Sequence, residues 1–379
     1  MKKVTALLLA VMMIFSVTAC AKEPSGTPNG GGTSESGKPY KAALLINGTL
    51  GDKSFFDSAN SGLERLKDEL GADKFDFKTY EMGGAPSDEP KWGPAVLEYC
   101  ETGEYDVIIV GTYQMYDALK DAATEFPDQK FIFFDETFPD LETGNFKNIY
   151  NVLYKQNEVS FLIGAAAAMM TTDASLPNID PATKNIGFLG GMENPVINDF
   201  LFGYIQGAKY VEPDIKVSIA YVGDFLDSAR GKDLALSQYQ SGGVDVGYNV
   251  AGLAGLGQIE AAVDTDKYAF GVDSDQAALL PDKAHVIPTS ALKNVGNSLY
   301  RAIKADMDGK FEYGRVESLG FAEGGVEIVK DAHYEEMLPE GIRAKLDELE
   351  QKIIDGEIVV DSALGKSTEE VQAVKDSVK

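Results

Sequence analysis

The chain has 379 residues, with 34 Lys plus Arg against 60 Asp plus Glu and only two Cys and two His. That length suits about two domains of 100–200 residues each, and 44% apolar with 25% charged residues is the composition of a folded globular protein. A net charge of −26 argues against a nucleic-acid partner and against adhesion to anionic lipid, both of which need a basic face. Two Cys and two His argue against a disulfide framework, a thiolate zinc site and a His-based relay.

The N-terminus reads as an address. Lys2 and Lys3 precede an apolar run from Val4 to Val17, too short for a transmembrane helix of roughly twenty residues and suited to a signal peptide over 1–19. The run ends in Val17-Thr18-Ala19-Cys20. Small residues before a Cys resemble the lipobox of bacterial lipoproteins, which implies cleavage before Cys20 and its acylation with chains such as palmitate. Stable anchoring takes more than one such chain. Removing residues 1–19 leaves 32 basic against 60 acidic side chains, a charge of −28. Residues 21–38 hold twelve Gly, Pro, Ser or Thr among eighteen, so 20–39 reads as a flexible tether to the outer face of the cell membrane.

From residue 40 onward short apolar runs alternate with helical periodicity, which predicts parallel sheets covered by helices. Strands are expected at 41–47, 75–81, 106–110, 130–134, 147–153, 185–189, 216–222, 244–250, 268–272, 285–290 and 316–321. The pattern repeats. Residues 43–84 parallel 186–224 as strand, loop, helix and strand, and 106–137 parallel 245–275, with Asp135 and Asp273 each closing a strand. The expected fold class is α/β: two doubly wound lobes joined by a hinge, with ligand bound outside the carboxyl ends of the strands. Lobe 1 is expected over 40–154 plus about 291–325, lobe 2 over 155–290 plus about 326–360, and 361–379 as a C-terminal tail.

In the first helix Ala59, Leu63, Leu66 and Leu70 make the core stripe, and Asp52 or Ser54 caps the start. Phe55 and Phe56 flank the stripe, and helical projection leaves open which of them faces the cleft. The matching helix of lobe 2 has Asn194 as N-cap, Pro195 at its first position and Phe200 on a surface apolar nearly all round. Phe200 therefore reads either as core or as an aromatic facing Phe55, a pair able to hold a flat ring by stacking. Asp135 and Asp273 accept hydrogen bonds only, which suits a ligand bearing hydroxyl or N–H donors. The segment 251–258, AGLAGLGQ, follows a strand but is not a GxGxxG phosphate loop, and its Gly252, Gly255 and Gly257 allow close backbone approach to a ligand.

Beyond residue 19 there are five Arg (65, 230, 301, 315 and 343), none beside these motifs, which disfavours carboxylate and phosphate ligands. GxSxG, HExxH and Walker motifs are missing from the sequence, as is a DxDxDG-like calcium loop. His285 falls in an expected strand and His333 in a polar segment, both read as structural, and Cys100 reads as a buried small residue. No cofactor, metal or catalytic residue is expected. Binding without chemistry is the simplest class.

Five segments in order, GDKSFFDSANSGL (51–63), IGFLGGMENPVINDFLFGYIQGAK (186–209), YVGDFLDSARGKDLALSQY (221–239), FGVDSDQ (270–276) and TSALKNV (289–295), carry a more specific signal. The chain resembles the basic membrane protein (Bmp/Med) family, the purine-nucleoside-binding lipoproteins of ABC importers, over most of 41–360. The resemblance implies the type I periplasmic-binding-protein fold and an ABC permease as partner. It also implies a base stacked between Phe55 and Phe200, with Asp52 and Asp135 on the base edge, and Asp273, Lys293 and the backbone near Gly255 on the ribose. Lys293 alone reads as a solvated helix Lys. Two departures from the family stand out: Phe56 where Asn is frequent, and Leu253-Ala254 in place of an AGGTG-like loop. The alternatives left open are a sugar or other neutral solute as ligand, a sensor feeding a membrane receptor, and a nucleoside hydrolase.

Overall fold

The structure, a computed structural model, describes residues 37–379. The expected signal peptide, Cys20 and nearly all of the expected tether lie outside the described residues.

The first half runs β1 (Tyr40–Ile46), α1 (Phe55–Leu70), β2 (Phe75–Glu81), α2 (Trp92–Thr102), β3 (Val107–Gly111), α3 (Tyr116–Glu125), β4 (Lys130–Phe134) and β5 (Ile149–Tyr154). The second runs α4 (Gln156–Thr171), β6 (Asn185–Gly190), α5 (Pro195–Val211), β7 (Lys216–Tyr221), α6 (Ser228–Gln240), β8 (Val246–Val250), α7 (Leu256–Thr265), β9 (Tyr268–Asp273), α8 (Gln276–Leu279) and β10 (Ser290–Lys293). Then follow α9 (Val295–Met307), β11 (Arg315–Leu319), β12 (Val326–Ile328), α10 (Ala332–Met337), α11 (Glu340–Ile354) and α12 (Thr368–Asp376).

These strands form two six-stranded sheets, β11-β5-β4-β3-β1-β2 and β12-β10-β9-β8-β6-β7. All pairings are parallel except β10 with β12. The inner order is the same in both, so the duplication read from the sequence is a duplication of topology. VIIVG of β3 and FIFF (131–134) of β4 are apolar without alternation because helices cover both faces of a parallel sheet. In each sheet the strand order reverses beside the first strand, and that switch point opens a crevice at the carboxyl ends.

The chain passes between lobes three times: between Tyr154 and Gln156, at Asn294, and between Leu319 and Val326. Each helix that follows one of the first two crossings packs on the helix after the first strand of the lobe it enters, α4 on α5 and α9 on α1. The fit is backbone to backbone. A Cβ on Gly207 of α5 would lie 1.8 Å from the Phe161 carbonyl oxygen of α4, and one on Gly62 of α1 would lie 2.1 Å from that of Gly296 in α9.

Three expectations change here. Residues 281–286 form a 3-10 turn that opens on Pro281, which cannot donate within a sheet. The strand expected at 285–290 is therefore β10 at Ser290–Lys293, and His285 lies in the turn. β10 belongs to the second sheet, so re-entry into the first lobe begins after Lys293 rather than at about 291. Residues 361–379, expected as a tail, carry α12 and are docked on α5, with Ala363 before α12 and Val371 within it packed against Phe202.

Candidate ligand-binding site

A cavity of about 450 Å³ lies between the two sheets at the carboxyl ends of their strands. Asp52, Phe55, Phe56, Asp135, Phe200, Asp273 and Lys293, all singled out in the sequence, line it together.

Asp52 sits in the loop between β1 and α1. Its Oδ1 accepts from the backbone N–H of Ser54 (3.0 Å) and Asp57 (3.1 Å), and its Oδ2 from that of Phe56 (2.9 Å). Asp52 is therefore the cap of α1, filling the role of the first-turn acceptor. Burial pushes its carboxyl up to about 6, against the pull of those three backbone donors. Relieved of capping, the Ser54 hydroxyl crosses to the other lobe and donates to Asp273 Oδ2 at 2.6 Å. Ser274 Oγ donates to the Ser54 carbonyl (2.9 Å) and Gln276 Nε2 to that of Lys53 (3.1 Å), so the α1 loop is tied across the gap at three points.

Asp135 directly follows β4 and Asp273 ends the equivalent strand β9, and both adopt left-handed backbone, φ 68° and 62°. Asp tolerates that region better than most side chains, and the same local turn at both strand ends aims both carboxylates at the crevice. Burial raises both carboxyls, with the Lys293 ammonium opposing. Lys293 corrects its own reading as a solvated helix residue. It is the last residue of β10, 2% exposed, with Nζ 2.5 Å from Asp135 Oδ1.

The aromatic rings are organised around that ammonium. Lys293 Nζ lies 4.8 Å from the centroid of Phe200 and 5.2 Å from that of Phe55, within cation–π range of a ring from each lobe. Phe200 is both core and lining: it is 2% exposed and meets Tyr248 edge-on at 6.4 Å. Phe55 and Phe56 both reach the cavity, their rings edge to face at 5.1 Å. Phe56 covers Gly48, where a Cβ would fall 2.3 Å from the ring.

Gly255 is not among the residues lining the cavity. It is buried against Asn249, whose Oδ1 would lie 2.6 Å from a Cβ at that position. Gly252, at φ 55°, and Leu253 present the loop to the cavity instead. Sequence reasoning also missed Asn47, Trp92, Asn194 and Phe225 as lining residues. Asn47 directly follows β1 and donates from Nδ2 to Thr112 Oγ1 (2.9 Å) and Gln114 Oε1 (3.1 Å). Asn194 caps α5 as its place before Pro195 predicts, accepting from the Ile197 N–H at 2.9 Å. For Asn47, Asn194 and Phe225 the usable signal is position, since each lies within four residues of the end of a strand, whereas Trp92 opens α2 and carries no such mark.

Asp52, Asp117, Asp135, Asp224, Asp273 and Glu89 line the cavity against one cationic side chain, Lys293. Such a lining favours neutral donors over phosphates. Among the described residues no group of three or more His, Cys, Asp or Glu is placed to hold a metal. Cys100 is buried in α2, where desolvation pushes its thiol up to about 12, and His333 Nε2 bonds the Ile287 carbonyl at 2.9 Å.

Two doubly wound lobes around a shared, acid-lined cavity define a two-lobed solute-binding protein of the type I periplasmic-binding fold. The chain belongs to the Bmp family: the model described as "ABC transporter substrate-binding protein PnrA-like" matches residues 40–363. That is a family of ABC transporter substrate-binding proteins, not of enzymes. The chain is 34% identical to basic membrane protein A1 of Borrelia garinii subsp. bavariensis, over 88% of this chain and 91% of that one. It is 32% identical to the ABC transporter nucleoside-binding protein BmpA of Lactococcus lactis subsp. cremoris, over 85% and 89% of the two chains. A crystal structure of an ABC transporter solute-binding protein from Aeropyrum pernix K1 superposes with a TM-score of 0.75 at 26% identity, covering 90% of this chain and all of that one.

Proposed function

We propose that this ABC transporter substrate-binding protein captures a nucleoside, most readily a purine nucleoside, by closing two lobes on it and presents it to a membrane permease. The observation that carries this reading is the placement of Phe55 and Phe200, one from each lobe, on a cavity that also holds Asp135, Asp273 and Lys293. A planar base satisfies the rings, with stacking contributing roughly 1–3 kcal/mol. Sugar hydroxyls satisfy the carboxylates as donors and Lys293 as acceptors. The name of the Lactococcus relative supports the same ligand class. Closure needs no chemistry, only contacts that exist in the closed state and not in the open one.

Anchoring through acylated Cys20 at the extracytoplasmic face of the cell membrane completes the proposal. It rests on the basic, apolar and small-residue order of 1–20. The test is a thermal-shift panel of nucleosides, bases, sugars and amino acids. Ligand at 100 times its dissociation constant adds about 2.7 kcal/mol of stability. A shift with nucleosides is expected; a shift with a sugar and none with any nucleoside would overturn the reading.

A further inference from the structure

The proposed site makes no use of α12 or of the segment 360–364 before it, yet both are built into the lobe. α12 lies beyond the family match, which ends at 363. The segment is held between α4 and α5. Asn157 Nδ2 donates to the Val360 carbonyl (3.0 Å), while Asp199 Oδ1 accepts from Ser362 Oγ (2.6 Å) and the Ala363 N–H (2.8 Å). The other oxygen of Asp199 accepts from Gln156 Nε2 at 2.6 Å. Asp199 is 1% exposed and immediately precedes Phe200. Its carboxyl is raised by burial, with these donors opposing.

Farther along, Ser367 and Glu370 form a reciprocal capping box that starts α12, and Val371 packs under Phe202 of α5. At the far end Lys375, 6% exposed, pairs with Glu193 at 2.5 Å and lies 4.7 Å from the Tyr221 ring centroid. Tyr221 in turn donates to Asn198 Oδ1 at 2.8 Å. Glu193 sits between Met192 and Asn194, both of which line the cavity. Leu364 reaches the other lobe, closing a small void beside Asp135, Glu136 and Tyr154.

From these contacts we infer that residues 360–378 are a strap that fixes the first two turns of α5, and with them Asn194 and Phe200, in the geometry that ligand binding needs. Asp199 and Lys375 are its positioning residues. Neither lines the cavity. The strap acts by removing alternative positions of α5, and a preorganised wall binds more tightly because less ordering remains to be done on closure. This inference rests on the cavity being the nucleoside site.

The experiment compares the full chain with Lys375→Met, Lys375→Arg and a truncation after Gly365. Inosine is the probe for affinity and dissociation rate. Amide hydrogen exchange at 194–200 is read without ligand, well below each variant's melting temperature. Truncation is expected to weaken inosine binding and to speed exchange at least about tenfold, and Lys375→Met about threefold, while Lys375→Arg stays near the parent. Parent-like affinity and exchange in both the truncation and Lys375→Met would overturn the strap. If the truncation does not fold, Lys375→Met decides. If inosine binds no form, including the parent, the nucleoside reading fails and exchange alone decides whether the strap exists.

Discussion

Lys293 and Asp135 meet at 2.5 Å across the gap between the two sheets, each at the end of a central strand and neither more than about a tenth exposed. Asp273 lies in the field of the same ammonium, so two buried carboxylates share one cation. Removing that cation strands both. Lys293→Met is expected to destabilise by about 3–5 kcal/mol at neutral pH, the usual outcome of breaking a buried ion pair from one side. Adding Asp135→Asn should restore more than half of it. Urea midpoints give both numbers, and a double variant no more stable than Lys293→Met would contradict the pairing. The penalty should shrink as pH falls, because protonating the stranded carboxylates removes the uncompensated charge.

Phe200→Ala is expected to weaken nucleoside affinity by roughly 1–3 kcal/mol through lost stacking. It also opens space beside Tyr248, so some loss of stability accompanies it. Titration calorimetry at a temperature where the variant is fully folded separates the two effects. Unchanged affinity would remove Phe200 from the site.

Asp52 sets a pH dependence with a definite sign. Its carboxyl titrates at about 6 in the fold against 3.8 unperturbed. Between those values the folded protein holds a proton that the unfolded chain has released, so stability falls as pH rises through the window. The contribution is fully present below about 4 and gone above about 6. Asp52→Asn retains an acceptor for the cap and cannot titrate. The parent is therefore expected to lose stability relative to Asp52→Asn as pH rises from about 4 to 6, in parallel urea titrations. A constant difference across that range would show that Asp52 is not held up by burial.

Phe56 covers Gly48 on the cavity wall. Phe56→Asn places an amide donor and acceptor there and is expected to raise affinity for purine nucleosides relative to pyrimidine nucleosides. The readout is the ratio of two dissociation constants, which a general loss of stability does not move. An unchanged ratio would place the base away from Phe56.

The duplicated strand pattern was legible because central parallel strands are short apolar runs, and Asp135 and Asp273 were legible because each ends one such run. Phe55 and Phe56 stayed ambiguous because both project into the cavity. Local pattern places Lys293 on a helix, but Pro281 opens a 3-10 turn and the strand forms at 290–293, which makes Lys293 a buried strand end. Gly255 looked like a ligand loop because a glycine needed for packing on Asn249 and one needed for a ligand are the same letter. The polar run 361–379 read as a tail because its buried positions, Ala363, Val371, Lys375 and Val378, are few and one of them is charged. Interlobe bonds such as Ser54 to Asp273 join residues 219 apart, a distance no local pattern reports.

The most direct measurement of the central claim is calorimetric titration of the protein, free of any lipid, with inosine and with inosine 5′-monophosphate. A cavity lined by six carboxylates and one ammonium predicts saturable one-to-one binding of the nucleoside and at least a hundredfold weaker binding of the nucleotide, about 2.7 kcal/mol of discrimination. Equal affinity for the two, or heat from the nucleotide alone, would contradict the account.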